Sequence, residues 1–279
     1  MKRVLFAGLA LLLLVAGVAV VQAAEGPSPV TITAVEYAFE APDQLDAGPV
    51  AITFRNGGNE PHNLKVWQFK PGKTAEDLKA IRDPAELDSV LADALGGVSM
   101  TFPGTDQNVV LDLPAGQYFL VSATRASADG VTDFAKGLLK PLNVVARPSR
   151  APIEEPAADI VVDLMDTAIE VPSQLEPGTH TIQITNSGTV PHQLIILKLL
   201  PGKTPEEFAV AFQANQTGQV VDPNGPNGGT AEFSPGRRGW ISGTFPMGTY
   251  VAFDDFYRSA IRDMPFAFTV DSAIDEGVD

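Results

Sequence analysis

The protein has 279 residues, a formal net charge of −15 at neutral pH, three histidines and no cysteine. The lack of cysteine excludes disulfide bonds and every metal site that depends on a thiolate. The acidic balance disfavours binding to nucleic acid and to anionic membranes, because both carry negative charge.

The N-terminal segment has the pattern of an export signal. Lys2 and Arg3 precede an apolar run from Val4 to Val21, and small residues follow up to Ala24. We expect cleavage of residues 1–24. The alternative is an uncleaved membrane anchor, because the apolar run is about long enough to span a bilayer. No second run of this kind follows, so we expect a secreted or periplasmic protein without a membrane span once the signal is removed.

The rest of the chain contains an internal repeat. The segment Asn56–His62 (NGGNEPH) recurs 130 positions later as Asn186–His192 (NSGTVPH), and the same offset carries Pro71–Thr74 (PGKT) onto Pro201–Thr204. Such long self-similarity indicates that one domain is duplicated within the chain. The boundaries that we predict are 25–146 for the first copy, 147–158 for a proline-rich linker and 159–279 for the second copy.

Both copies contain short strands separated by turns. Val50–Phe54 and Leu64–Phe69 alternate apolar and polar residues, as half-buried strands do. The phrases that end in Tyr118 (PAGQY) and Tyr250 (PMGTY) start a further strand in each copy. Turns about every ten residues predict an all-β protein made of two tandem antiparallel Greek-key β-sandwiches.

A short helical insert is expected in each copy after the repeated PGKT sequence. Thr74 and Asp77 match a capping box, and the apolar pattern predicts a helical segment from Ala75 to Leu95. In the second copy Pro205 follows Thr204, as is common at the first position of a helix. Two glycine pairs are expected to end these inserts, Gly96–Gly97 and Gly228–Gly229.

These phrases, in this order, resemble the cupredoxin fold of small blue-copper proteins. The features that carry the resemblance are the Asn-x-Gly-x-x-Pro-His edge, the strand that starts with Gly-x-Tyr, and a late loop before the last strand. The resemblance covers nearly all of the chain after the signal, twice. It implies, for the family's copper site, one histidine from the early edge and a cysteine, a second histidine and usually a methionine from the late strand and loop.

Compared with that ligand set, most positions have changed. The early histidines match at His62 and His192, whereas the cysteine positions hold Ser122 and Asp254. The second histidine and the methionine are replaced in the first copy by Asp133 and Leu138, and in the second copy only Met264 is kept. We therefore expect no type 1 copper site and no cofactor. The weak candidates for a copper or zinc site are His62, Asp133, His192, Asp254 and Met264.

Other interpretations of these residues remain open at the sequence level. Each early histidine is either a residual metal ligand or a partly buried ring that hydrogen-bonds a neighbouring loop. His62, Ser122 and Asp133 superficially resemble a serine-histidine-acid set, but no nucleophile elbow or oxyanion-hole motif accompanies them. His180 is expected at the surface. Four aromatic residues are expected in the core rather than in a ligand pocket: Trp67, Phe102, Phe233 and Trp240.

The sequence thus favours an exported, non-catalytic binding or interaction protein. Its partner would be an unidentified protein or small ligand outside the cytoplasm, and not nucleic acid. The alternative is a low-affinity copper or zinc carrier or sensor that uses the residual histidine, aspartate and methionine positions.

Overall fold

The structure is a computed structural model that describes residues 25–81, 90–125, 130–147, 153–254 and 266–272. The expected export signal, part of the linker and Met264 lie outside the described residues. No helix within the described ranges is long and apolar enough to cross a membrane.

The first copy consists mainly of strands. Their bounds are β1 (Ser28–Val35), β2 (Ala38–Glu40), β3 (Gln44–Asp46), β4 (Gly48–Asn56), β5 (His62–Phe69), β6 (Leu91–Thr101), β7 (Asp106–Leu113), β8 (Gly116–Val121) and β9 (Leu139–Val145). Two short helices accompany them, α1 (Ala75–Ala80) and α2 (Asp133–Lys136).

The second copy repeats this order of strands, and several of them, such as β14 and β15, are shorter. Its strands are β10 (Ile160–Met165), β11 (Ala168–Glu170), β12 (Gln174–Leu175), β13 (Gly178–Asn186), β14 (Ile195–Lys198), β15 (Gly228–Gly229), β16 (Arg238–Phe245), β17 (Gly248–Phe253) and β18 (Phe266–Val270). Helix α3 (Pro205–Gln213) and a 3₁₀ turn (Thr217–Gln219) lie between β14 and β15.

The strands form because apolar residues alternate with polar ones along them. In β4, Val50, Ile52 and Phe54 are buried while their neighbours are more exposed. Ile182 and Ile184 repeat this pattern in β13. The buried faces of both copies belong to one contiguous apolar cluster, so the two cores are joined rather than separate.

The predicted sandwiches are confirmed, and the copies share a sheet. One sheet has the order β11-β10-β13-β16-β7-β4-β1-β2, in which β16 of the second copy pairs antiparallel with β7 of the first. Each copy adds its own five-stranded sheet, β3-β9-β8-β5-β6 or β12-β18-β17-β14-β15. The prediction of purely antiparallel sheets is wrong, because all three sheets are mixed. In the shared sheet β1 runs parallel to β4 and β10 to β13, and in the other two β3 runs parallel to β9 and β12 to β18.

Further contacts cross between the copies beside the shared sheet. The backbone of Leu95 in β6 bridges Phe233, and the Ala94 N–H donates to Ser234 Oγ at 2.8 Å. The fully buried Glu232 carboxylate accepts a hydrogen bond from the Lys65 ammonium group. Because these contacts are buried and polar as well as apolar, they fix the register of one copy against the other.

The predicted strand starts at the two tyrosines are also confirmed. Tyr118 and Tyr250 are fully buried, and each hydroxyl donates to a carbonyl four residues earlier, at 2.6 Å to Pro114 and 2.7 Å to Pro246. Burial raises the pKa of each phenol to about 12. These two equivalent tyrosine hydrogen bonds anchor β8 and β17 in their sandwiches.

The predicted helical insert of the first copy is wrong in its extent. The capping box at Thr74 is present, but α1 ends at Ala80, and the predicted helical positions Leu91 and Leu95 lie in β6. The glycine pair Gly96–Gly97 also lies within β6 instead of ending a helix. Pairing of β6 with β5 and with the second copy supplies hydrogen bonds and burial that outweigh the local helical pattern. Residues 82–89 lie outside the described ranges.

Candidate functional site

The repeated loops place one histidine at the same end of each sandwich. In the first copy the buried Asn56 side chain donates to the carbonyls of Glu60 and Thr101, at 2.7 and 2.8 Å, and accepts from the Gly58 N–H at 2.9 Å. In this way one amide satisfies three backbone groups and fixes the loop that leads to His62.

In the second copy, the Asn186 side chain makes the same three hydrogen bonds. Asn186 donates to Val190 and Phe233 carbonyls at 2.9 and 2.6 Å and accepts from the Gly188 N–H at 2.8 Å. The loop before His192 therefore has the same conformation as the loop before His62. This explains why asparagine recurs at both positions.

Glycine is required in both loops because the histidine ring occupies the space beside it. A Cβ atom on Gly58 would lie 2.9 Å from His62 Nε2, and one on Gly188 would lie 2.8 Å from His192 Nε2. Such distances are shorter than a carbon–nitrogen contact allows. The repeated Asn-x-Gly-x-x-Pro-His motif thus encodes a buried histidine packed against its own loop.

In the first copy the histidine ring contacts an aspartate from the late loop. His62 Nδ1 lies 2.8 Å from Asp133 Oδ2, and the Ser122 hydroxyl donates to the same oxygen at 2.6 Å. All three side chains are fully buried. Helix α2 positions the carboxylate, since the Asp133 N–H donates to the Thr124 carbonyl and Thr132 caps the helix. Within the described part of the chain, His62 Nε2 and Asp133 Oδ1 have no hydrogen-bond partner.

In the second copy the ring lies between two carboxylates. His192 Nδ1 is 2.6 Å from Asp254 Oδ2, and His192 Nε2 is 3.0 Å from Asp166 Oδ1. Asp254 is fully buried, whereas the side chain of Asp166 is 39% exposed. The Thr189 N–H and hydroxyl also donate to Asp166, at 2.7 and 2.6 Å.

These contacts shift two pKa values in opposite directions. Burial lowers the pKa of His192, but the hydrogen bonds to Asp254 and Asp166 outweigh it, and the pKa of the ring is raised. The hydrogen bonds from Thr189 and then His192 hold the pKa of Asp166 well below its usual range. Both shifts favour the charged forms, which is the condition for an ion pair.

The structure brings together most of the sequence-predicted residues and adds one. The contacts of His62 with Asp133 and of His192 with Asp254 involve four of the five candidates, and the fifth, Met264, lies outside the described ranges. Sequence reasoning missed Asp166. Its signal was an acidic residue at the same repeat position in both copies, Glu36 and Asp166.

The structure also tests the predicted burial of the four aromatic residues and the predicted exposure of His180. Trp67, Phe233 and Trp240 are buried as expected, but Phe102 is 57% exposed, so the core prediction is wrong there. Phe102 lies after the end of β6, in the turn that leads to β7. His180 is only partly exposed, because its ring lies against Asp159 and the Glu176 carbonyl.

The arrangement around Ser122 does not form a catalytic triad. In a triad the histidine links the acid to the hydroxyl, with one ring nitrogen for each. Here the Ser122 hydroxyl bonds the Asp133 carboxylate directly, and all three groups are shielded from solvent. A substrate has no access to the hydroxyl in this conformation.

A groove between the copies is the second feature of interest. It has a volume of about 600 Å³ and is lined mainly by apolar side chains, among them Met100 and Phe102 from the first copy and Ile195, Leu197 and Val221 from the second. Met100 is 49% exposed. Residues of the segment before β15, among them Pro223 and Asn227, also line the groove.

Comparison with known proteins gives matches among solved structures alone. No protein-family model matches the chain, and no curated protein matches it. Auracyanin from the photosynthetic bacterium Roseiflexus castenholzii is 18% identical over 43% of this chain and 98% of its own, with a TM-score of 0.31. Auracyanin A, a "blue" copper protein from Chloroflexus aurantiacus, is 20% identical over 43% and 100%, with a TM-score of 0.30. The copper nitrite reductase of Nitrosomonas europaea is 13% identical over 89% and 95%, with a TM-score of 0.27.

With TM-scores below 0.5, these matches carry no argument about fold or function. The structure itself has the cupredoxin-like features that the sequence resembles: paired sheets in each copy, a histidine at the early loop edge and a buried tyrosine at the start of the late strand.

The residues present do not fit the copper site that a cupredoxin-like fold implies. In the first copy Asp133 Oδ2 lies within hydrogen-bond distance of both His62 and Ser122, so the three groups bind each other instead of converging on a metal. Leu138, at the methionine position, is a buried core residue without a donor atom. In the second copy Asp254 occupies the cysteine position and bonds the ring directly. No group of three or more His, Asp or Glu side chains suited to a metal ion occurs in the described ranges.

Proposed function

We propose that this protein is an exported, non-catalytic binding protein in which two cupredoxin-like domains act as a rigid scaffold. The observation that carries the proposal is the replacement of metal ligands by a buried histidine–aspartate contact in each copy. A chain without cysteine cannot form the thiolate–copper bond on which blue-copper electron transfer depends. The export pattern at residues 1–24 supports a location outside the cytoplasm.

The groove between the copies is the surface that we assign to binding. Its volume of about 600 Å³ lies within the roughly 300–1,000 Å³ that is usual for small-molecule sites. Its lining is mainly apolar, so the ligand class that it fits is a small, largely apolar molecule. The two walls of the groove come from different copies, with Met100 in β6 and Leu197 in β14, and the shared sheet joins these copies.

Anilinonaphthalene sulfonate, an aromatic anion whose fluorescence rises at apolar sites, tests this assignment on the full-length protein. We expect saturable binding with one site per chain, and at least a tenfold weaker affinity in Leu197→Ser. The matched control is Val161→Ser, which removes a 58% exposed valine from β10, away from the groove. Equal binding by wild type and both variants, or no saturable binding, would contradict the assignment.

Metal analysis tests the part of the proposal that the protein does not act through bound copper or zinc. Protein purified from its native compartment without chelator is expected to contain far less than one copper or zinc per chain, and added copper(II) should give no intense band near about 600 nm. The alternative function, a low-affinity copper or zinc carrier, predicts calorimetric binding that is lost in His62→Ala or His192→Ala. Near-stoichiometric metal that depends on these histidines would replace the binding proposal with the carrier.

A further inference from the structure

The His192 ring is distinguished by what faces its two nitrogens. Each nitrogen lies within hydrogen-bond distance of a carboxylate oxygen, 2.6 Å for Asp254 and 3.0 Å for Asp166. A neutral imidazole has one N–H donor and one acceptor nitrogen, and an ionised carboxylate only accepts. With both carboxylates ionised, both contacts are therefore hydrogen bonds only if the ring carries protons on both nitrogens.

The surroundings are consistent with a charged ring. His192 and Asp254 are fully buried, and a buried charge requires a paired partner. Within the described residues, the charged groups against the ring are Asp254, after the end of β17, and Asp166, in the turn between β10 and β11. The other described neighbours are neutral: Gly188 in the preceding loop, and the Phe233 backbone, which pairs with the His192 backbone.

The contacts join three parts of the second copy. Asp254 follows β17, Asp166 lies in the β10–β11 turn, and His192 ends the loop Ser187–Pro191. Asp166 also accepts from the N–H and hydroxyl of Thr189 within this loop. Asp166 thus links the middle and the end of the loop to the turn. The start of the loop is held separately to β10, because the Ser187 and Gly188 N–H groups donate to the Leu164 carbonyl at 3.0 and 3.2 Å and the Ser187 hydroxyl donates to Asp163 at 2.7 Å.

We propose that protonated His192 is a pH-dependent fastener, and that loss of its proton releases Thr189 and the His192 ring from Asp166 in the β10–β11 turn, while the start of the loop stays bonded to β10. When the ring is neutral, its remaining proton stays on Nδ1 in the shorter, buried contact with Asp254. Nε2 then presents a lone pair to Asp166, and the contact becomes repulsive. Asp166 is the group that moves, because it is partly exposed and can turn to water. The Thr189 amide loses its acceptor in the same step.

The first copy has the same parts without the fastener. Glu36 occupies the position of Asp166, but its carboxylate bonds Asn59, at 2.6 Å to the N–H and 2.8 Å to the side chain. His62 contacts one carboxylate, that of Asp133, through Nδ1. The first-copy loop is therefore an internal control whose attachment does not involve its histidine. This inference is independent of the proposed binding function.

The protonation state is tested by nitrogen-15 NMR of the imidazole rings in the full-length protein between pH 5 and 10. We expect both His192 nitrogens to have imidazolium shifts at pH 6, and the ring to lose its proton at a higher pH than an ordinary histidine does. In Asp166→Asn, which keeps an acceptor but removes the charge, the His192 transition should move to lower pH. The matched control is Glu36→Gln, which should leave that transition unchanged. A His192 ring that is neutral at pH 6 would overturn the proposal.

The release is tested by amide hydrogen exchange over the same pH range. Protection of the Thr189 amide, relative to that of Asn59, should fall through the His192 transition by about tenfold for each unit by which closing the loop raises the ring's pKa. The Asn59 amide corrects for the intrinsic rise of exchange with pH, since its acceptor is Glu36. A constant ratio across the His192 transition would show that the ring is charged but fastens nothing, and would overturn the proposal.

Discussion

Phe233 is expected to be a main anchor of the joint between the two copies. Its side chain is fully buried, and its backbone exchanges hydrogen bonds with His192 and bridges Leu95 of the first copy. The ring fills the space beside two glycines: a Cβ atom would lie 2.4 Å from it on Gly96 and 2.7 Å on Gly239. Gly96 also has a positive φ of 100°, so neither the space nor the backbone favours a larger residue there.

The expected cost of Phe233→Ala follows from this packing. Removing a fully buried phenylalanine loses the transfer free energy of the ring and leaves a cavity, and together these reduce the free energy of unfolding by about 3–5 kcal/mol. The upper part of this range is appropriate because the walls are backbone and shared strands, which cannot collapse into the gap. The variant should unfold in one transition at lower urea, since the shared sheet couples both copies.

The matched control is Phe102→Ala, since sequence comparison of the copies places Phe102 opposite Phe233. Phe102 is 57% exposed, so its loss should change stability by about 0.5 kcal/mol or less. The assay is urea denaturation followed by both tryptophan fluorescence and far-ultraviolet circular dichroism. Equal costs for the two variants, or two separate transitions of which Phe233→Ala moves one, would refute the argument that Phe233 anchors a shared core.

Three further predictions concern charged and polar groups. The substitution Lys65→Met leaves the fully buried Glu232 carboxylate without its ammonium partner. It should therefore lower the free energy of unfolding by about 3–5 kcal/mol at pH 7. Urea denaturation measures this cost, and a change below about 1 kcal/mol would contradict the prediction. Tyr250→Phe should cost about 1 kcal/mol through the lost hydrogen bond, and alkaline absorbance titration should show that this phenol, with a pKa of about 12, does not ionise below pH 10. The raised pKa of His192 stabilises the protein fully below about pH 6.5, and this is lost as pH rises through the raised value. The lowered pKa of Asp166 stabilises it above about pH 4, and this is lost as pH falls through the lowered value. Wild type should therefore exceed His192→Gln in stability most between these limits, and a difference independent of pH would count against the ion pair.

Local features of the fold could be predicted from sequence because their causes are local. The capping boxes, the strand alternation and the strand starts at Tyr118 and Tyr250 each depend on residues within about ten positions of one another. The prediction of a helix at Leu91 and Leu95 was wrong because their strand partners are distant along the chain. Leu91 pairs with Phe69 in β5 and Leu95 bridges Phe233 in the other copy. A local pattern does not reveal partners so distant along the chain.

In the candidate site, too, the residues could be predicted from sequence, whereas their contacts could not. The internal repeat drew attention to His62 and His192, and the resemblance to blue-copper proteins drew attention to Asp133 and Asp254. Neither indicated that each aspartate would bond its histidine directly. Asp166 was missed because an acidic residue in a strand turn is ordinarily solvated, and only its contact with His192 Nε2 gives it a role.

By itself, the sequence determined that the protein is duplicated, that it cannot hold a thiolate–copper centre, and that one histidine lies at the same loop edge in each copy. These properties follow from residue identity and spacing. Only the tertiary structure decided that the copies share a sheet, that Phe102 and Phe233 have opposite environments, and that His192 is held from both sides whereas His62 is held from one. The physical reason is that strand pairing and buried hydrogen bonds join residues far apart in the chain, and a strand's side-chain pattern does not specify which edge it will meet.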